Sequence, residues 1–388
     1  MMIAYSIRAL QNLGIIKEAR RWAKQAVITD DQLAAIQAHY NVSLYHPNWM
    51  IRVLLFVAGL LALSGVTGIF ALMFGDLGAT GLSVLCILYG AGSIIFLEGM
   101  FIKRWHYKSG ITEAVLYHSC GFLIGGVAGL SDFDNTNLIL ITSVFVFALA
   151  AIRYLDLSTT LATLVSLAAL IFLLCYDAGG ILRQLIPFVF LFVFTIIYWG
   201  VKRIWEHSAL VLWRNNLTVM EVVSLIMIYL STNYWVVREA SIELLDLSLA
   251  EGEEIPFAGI FYSLTVAIPV LYFFVAIKNK DMVMLRVGML ALALSVSTFK
   301  YYFLEGELEW VLVMAGVVLI VAAIFLMRGL KQIRRGFISK QLLTRTWASE
   351  QVEALVISQT LGGNQSEVKS TESGGGGESG GGGASTPF

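Results

Sequence analysis

Five ionisable side chains fall inside apolar runs or close to their ends: Glu98, Glu113, His118, Glu221 and Arg286. Within a membrane such residues are costly, and they normally face protein or a water-filled cavity, where they pair or relay protons. The chemistry open to them is a proton relay or the binding of a charged solute. Glu98, Glu113, Glu221 and Arg286 all lie near one end of their runs, so they share one depth. Arg286 is a candidate partner for Glu98 or Glu221, and such a pair removes much of the cost of burial. His118 is deeper, about 10 Å from its helix start at a rise of 1.5 Å per residue. A structural reading stands beside the functional one. The glutamates can snorkel to the interface or pair with loop cations, and His118 can hydrogen-bond a neighbouring helix.

Two of these residues share the run 111–130, ITEAVLYHSCGFLIGGVAGL. Its Gly121, Gly125 and Gly129 recur every four residues, a spacing that opens a groove for a neighbouring helix. The run is expected to be the most buried helix of a bundle. At 100° per residue His118 shares the glycine face, whereas Glu113 points roughly 120° away from it.

The elements that position these groups follow from composition. Of 388 residues, 58% are hydrophobic and 14% charged, and the mean hydropathy is +0.78. A soluble chain of this length needs more charge to cover its surface. The expected fold is all-α, a polytopic transmembrane bundle. A span needs about 20 apolar residues, and ten segments qualify: 53–74, 80–102, 111–130, 137–152, 158–176, 185–201, 217–237, 257–277, 282–304 and 311–328. With the N-terminus inside, the inner pieces carry 21 Lys and Arg, whereas the outer loops carry only Arg183 and Arg238. This positive-inside pattern predicts that both termini are cytoplasmic. The outer loops 238–256 and 305–310 are acidic, and Ile242, Leu244, Leu245, Leu247 and Leu249 suggest a short interfacial helix in the first. The domains read as a cytoplasmic amphipathic helical hairpin (1–50), the ten-span bundle (51–328), a basic juxtamembrane segment (329–362) and a disordered Gly/Ser-rich tail (363–388).

No phosphate-binding loop, zinc-protease motif or nucleophile elbow occurs, so no catalytic residue, metal site or cofactor is expected. Cys86, Cys120 and Cys175 lie in apolar runs and read as packing residues. The basic residues follow topology and form no nucleic-acid patch; the partner expected is the lipid bilayer, and the hairpin 1–50 reads either as a helix pair packed on the bundle or the headgroups or as a docking site for a cytoplasmic protein.

Within residues 1–50, Thr29 and Gln32 fit a capping box that starts a second helix. Trp22, Ile28, Thr29, Gln32 and Ile36, in RRWAKQAVITDDQLAAIQAHY, resemble the W…IT..Q…I segment of a family of bacterial polytopic membrane proteins of unknown function. The resemblance covers roughly residues 15–130. It implies a bacterial cytoplasmic membrane protein and implies no activity. Two functions remain open: a transporter-like bundle with a cytoplasm-facing polar site, and a non-catalytic scaffold that recruits partners through its N-terminal hairpin or C-terminal tail.

Overall fold

The computed structural model describes residues 3–42, 44–205, 207–245 and 253–303. The expected tenth span 311–328, the acidic loop 305–310, the basic segment 329–362 and the Gly/Ser-rich tail 363–388 lie outside the described residues.

The described chain is all-α, as its composition predicts. Its helices are α1 (Ile7–Lys24), α2 (Asp30–His39), α3 (Trp49–Phe74), α4 (Gly78–Phe96), α5 (Ile111–Leu130), α6 (Thr136–Tyr154) and α7 (Leu157–Ala178). There follow the short α8 (Gly180–Gln184), then α9 (Ile186–Ile204), α10 (Arg214–Leu230), α11 (Tyr234–Glu243), α12 (Ala258–Asn279) and α13 (Met282–Phe303). A π-helical segment, Leu97–Ile102, continues α4. Among the described residues the one β contact is an isolated bridge between Tyr45 and His106.

Polar residues set where the apolar runs become helices. Asn48, Asn135, Asp156 and Asn233 each accept a backbone N–H of the first turn, at α3, α6, α7 and α11. This is the usual work of short polar side chains at the N-cap. The Thr29–Gln32 capping box at α2 forms as expected. The expected span 217–237 is a correction: its helix stops at Leu230 and α11 begins at Tyr234. The reason is local, because the Thr232 hydroxyl turns back onto the carbonyls of Ile228 and Tyr229 while Asn233 caps the next helix. The helix expected in the loop 238–256 therefore starts earlier than the leucine pattern suggests; Leu247 and Leu249 lie outside the described residues.

Eight helical runs among the described residues are long and apolar enough to cross a membrane. The first, Trp49–Ile102, has 54 residues and is interrupted at Gly78, where φ is +71°. It thus covers two expected segments, 53–74 and 80–102. Leu54, Leu61 and Leu72 of α3 are more than two-thirds exposed, an outer surface suited to lipid. The protein is an integral, multi-pass membrane protein.

The chain divides into two compact units. In the larger, Met1–Gly14 and Val42–Thr346, α5 is the hub of the first helices, packing on α3, α4 and α6, and α10 packs on α7, α9, α12 and α13. Half of α5's apolar window is buried, 50% against at most 33% for the other runs, as its composition predicts. Ile3, Tyr5, Ala9 and Leu10 belong to the same core as Leu97, Leu116 and Tyr154. In the other unit, Ile15–Asn41, α2 buries Ile36 completely and the end of α1 buries Ala19.

Candidate functional site

Contacts among the connections gather one set of loops at one end of the larger unit. Ala4 N–H donates to the Arg153 carbonyl, Tyr45 N–H to that of Trp105, and the Asn216 amide to that of Asp156. Lys202 reaches Asp281 across the same end. Lys103, Arg104, Lys108, Arg203 and Arg214 lie in these connections or beside them, so this is the basic end. At the opposite end Asn137 bonds Asp177, and Arg183 bonds the Leu245 carbonyl.

Three ionisable networks occupy the basic end. The first is built on Glu98. The π-helical segment shifts the side-chain register there, a distortion common at functional positions. Arg153 donates to both carboxylate oxygens, Nε to Oε1 at 2.5 Å and the guanidinium NH2 to Oε2 at 2.7 Å. The Tyr154 hydroxyl adds a third bond at 2.8 Å.

The second is built on Glu113 in the first turn of α5. Its Oε1 receives Arg52 of α3 at 2.6 Å, and its Oε2 receives the Gly110 N–H at 2.7 Å and the Thr112 hydroxyl at 2.9 Å. One carboxylate thus caps α5 and ties it to α3. Gly110 makes this possible: its φ is +93°, and a Cβ there would collide with the Arg52 carbonyl. Beside this network Asp156 accepts the Tyr117 hydroxyl and the Thr159 N–H. A cavity of about 10 Å³ is lined by Tyr5, Lys108, Thr112, Glu113, Tyr154 and Asp156, room for about one water. Burial pushes the Tyr5 phenol up, and pushes Tyr107 up to about 12. Both are neutral phenols at physiological pH.

The third is built on Glu221, buried at 1% exposure. Its Oε1 lies 2.6 Å from Lys202 Nζ, which also lies 2.5 Å from Asp281 Oδ2. Asp281 Oδ1 accepts the N–H groups of Val283 and Met284, so Asp281 caps α13. Burial pushes the Asp281 carboxyl up, but the Lys202 ammonium and the Met284 N–H outweigh it and hold it below the usual carboxylate range.

The expected residues therefore do not form one site. Glu98 and Glu113 stand in adjoining networks, and Glu221 stands in a separate one. Arg286 partners neither Glu98 nor Glu221: it is on the exposed side of α13 and makes no ion pair among the described residues. Arg153 and Lys202 take those places. His118 lies within hydrogen-bond reach of Thr67 on α3, Nε2 to Oγ1 at 3.2 Å, and contacts the rings of Tyr89 and Phe122.

The glycines also divide. A Cβ on Gly126 would lie 2.6 Å from Ile87 Cγ1 and 2.8 Å from the Ser83 carbonyl, and one on Gly129 would meet the Ser83 hydroxyl. The close seam with α4 thus runs through Gly126 and Gly129, with Gly90 on the other side. Gly121 and Gly125 are a correction, since among the described residues nothing lies within 4 Å of a Cβ built on either. Together with Cys86, His118, Phe122 and Gly126, which stands at the edge with the seam, they line a mainly apolar groove of about 300 Å³. It does not reach Glu98 or Glu221.

Sequence reasoning missed Asp156 and Asp281 as site residues. Their signal was position: each precedes an apolar run at the basic end, where an N-cap is needed. Among the described residues no three His, Cys, Asp or Glu side chains converge as a metal site. In comparisons with protein-family models, characterised proteins and solved structures, nothing matches this chain.

Proposed function

We propose that the protein is a transporter-like bundle whose polar site opens towards the basic end, the cytoplasmic side by the positive-inside pattern. One observation carries the reading: Glu113 in α5 and Asp156 at the N-cap of α7 converge on a cavity that Tyr5 and Lys108 also line. Buried acids facing a cavity mark ion and solute pathways in membrane proteins. The cavity is small because Arg52 holds Glu113, Tyr117 holds Asp156, and the segment around Tyr5 is tied to the Arg153 carbonyl. Release of that segment would let a protonated or cationic solute reach both acids. The W…IT..Q…I resemblance suggests the bacterial cytoplasmic membrane as its location.

A scaffold is the second reading. It is favoured by the compact unit Ile15–Asn41, a candidate docking module for a cytoplasmic partner, and by the pairing of Glu98, Glu113 and Glu221.

Flux into reconstituted vesicles tests the two. Wild type is expected to move protons or a solute from a broad panel. Glu113→Gln and Asp156→Asn are expected to lower the rate about tenfold, equivalent to about 1.4 kcal/mol, while the folded protein is retained. His118→Ala, at a residue that does not line the cavity, should leave the rate near wild type. Folded wild type that moves nothing would sink the transporter reading.

A further inference from the structure

Charge does not balance in the third network. One ammonium, Lys202, faces two carboxylates, Glu221 and Asp281. Arg52–Glu113 and Arg153–Glu98, by contrast, each match one cation to one anion. An uncompensated charge away from water costs several kcal/mol, and proteins neutralise it. Among the described residues no second cation pairs with the network, and Lys280, next to Asp281 in the chain and half-buried, makes no ion pair there. On α9, Tyr198 and Lys202 face the network, and the Tyr198 and Trp205 ring centroids lie 5.7 Å from Lys202 Nζ. Arg203 and Arg214 stack on Trp199 and Trp205. On α12, Tyr272 is committed to the Leu225 carbonyl and Lys278 is exposed; on α13, Arg286 is exposed.

A second observation is independent of charge. Ser224 follows Glu221 by three residues, on the same face of α10. It is fully buried, at 0% exposure, and its hydroxyl has no partner among the described residues. Elsewhere Ser83, Ser119, Ser143, Thr218 and Thr265 give their hydroxyls to the carbonyl one turn back. Ser224 does not, which leaves a buried, unpartnered oxygen one helical turn beyond Glu221 on the same face of α10.

We propose that Glu221, Asp281 and Ser224 form a binding site for one monovalent cation, a proton or an alkali ion, with Lys202 as a built-in counter-charge shared by the two acids. Carboxylate and hydroxyl oxygens suit either occupant, and a single charge completes the balance. The site is separate from the Glu113–Asp156 cavity, so its occupancy is measured without flux, and a protein that transports nothing still tests it.

The experiment uses the full chain in lipid nanodiscs. In one arm sodium or potassium is titrated at fixed pH, with choline holding ionic strength. In the other, pH is varied without alkali ion, and the infrared carbonyl band of a protonated carboxylic acid is followed. Alkali occupancy predicts a wild-type Tm rise that is absent in Glu221→Gln and needs at least about tenfold more ion in Asp281→Asn, where one acid faces one ammonium. Ser224→Ala should weaken that response alone. Proton occupancy predicts a carboxylic-acid band lost in Glu221→Gln and retained in Glu98→Gln and Glu113→Gln. Glu98→Gln and Glu113→Gln also control for folding, because each breaks an ion pair elsewhere. A folded wild type with neither response, or with the same responses in Glu221→Gln, overturns the proposal.

Discussion

At the scale of the residue, the ionisable groups of the spans were legible and their partners were not. Glu98, Glu113 and Glu221 stand out because a carboxylate in an apolar run is conspicuous. Arg153 is 55 positions from Glu98 along the chain, and a basic residue in a short loop reads first as topology. Asp281 was invisible for a similar reason, since it looks like an ordinary turn residue until Lys202 is folded against it. Its contribution is open to test by pH. A carboxyl held below its ordinary value stabilises the fold above the unfolded pKa, near about 4, and loses that contribution as pH falls through the lower folded value. Asp281→Ala also removes the α13 cap, a loss of about 1 kcal/mol. We expect a lower Tm than wild type at pH 7, with the gap narrowing below about pH 4 as the wild-type carboxyl becomes protonated. A gap that widens in acid would contradict this assignment.

At the scale of the element, helix existence followed from hydropathy, and the face of α5 did not. A four-residue glycine ladder marks a groove, yet the choice of neighbour depends on which side α4 approaches. The helix meets α4 through Gly126 and Gly129, while Gly121 and Gly125 line the groove beside His118 and Cys86. Gly126 and Gly121 make opposite predictions, because only the first has atoms of α4 within reach of an added Cβ. Gly126→Leu forces Ile87 and the Ser83 backbone aside, and overpacking of this kind costs about 1–3 kcal/mol. Thermal unfolding in detergent should show a clear drop in Tm for Gly126→Leu. Gly121→Ala, placed where no described atom lies within 4 Å, should unfold close to wild type. Equal losses at the two positions would mean that the seam has been assigned to the wrong face. The break after Leu230 was likewise hidden, because Ile228, Tyr229, Tyr234 and Trp235 continue the apolar run across Thr232 and Asn233.

At the scale of the whole molecule, the charge pattern was the most informative feature of the sequence. It paired each loop with an end, and the contacts from Ala4 to Arg153 and from Lys202 to Asp281 gather those loops as the pattern requires. The networks of Glu98, Glu113 and Glu221 lie at that basic end, and the central claim is that this end faces the cytoplasm and the opposite end does not. Single-cysteine labelling tests it. With Cys86, Cys120 and Cys175 replaced by alanine, Lys103→Cys marks the basic end and Asp134→Cys the other; both positions are exposed. A membrane-impermeant maleimide applied to sealed, right-side-out vesicles is expected to label Asp134→Cys at once and Lys103→Cys only after permeabilisation. The reverse order, or equal labelling of both before permeabilisation, would contradict the account.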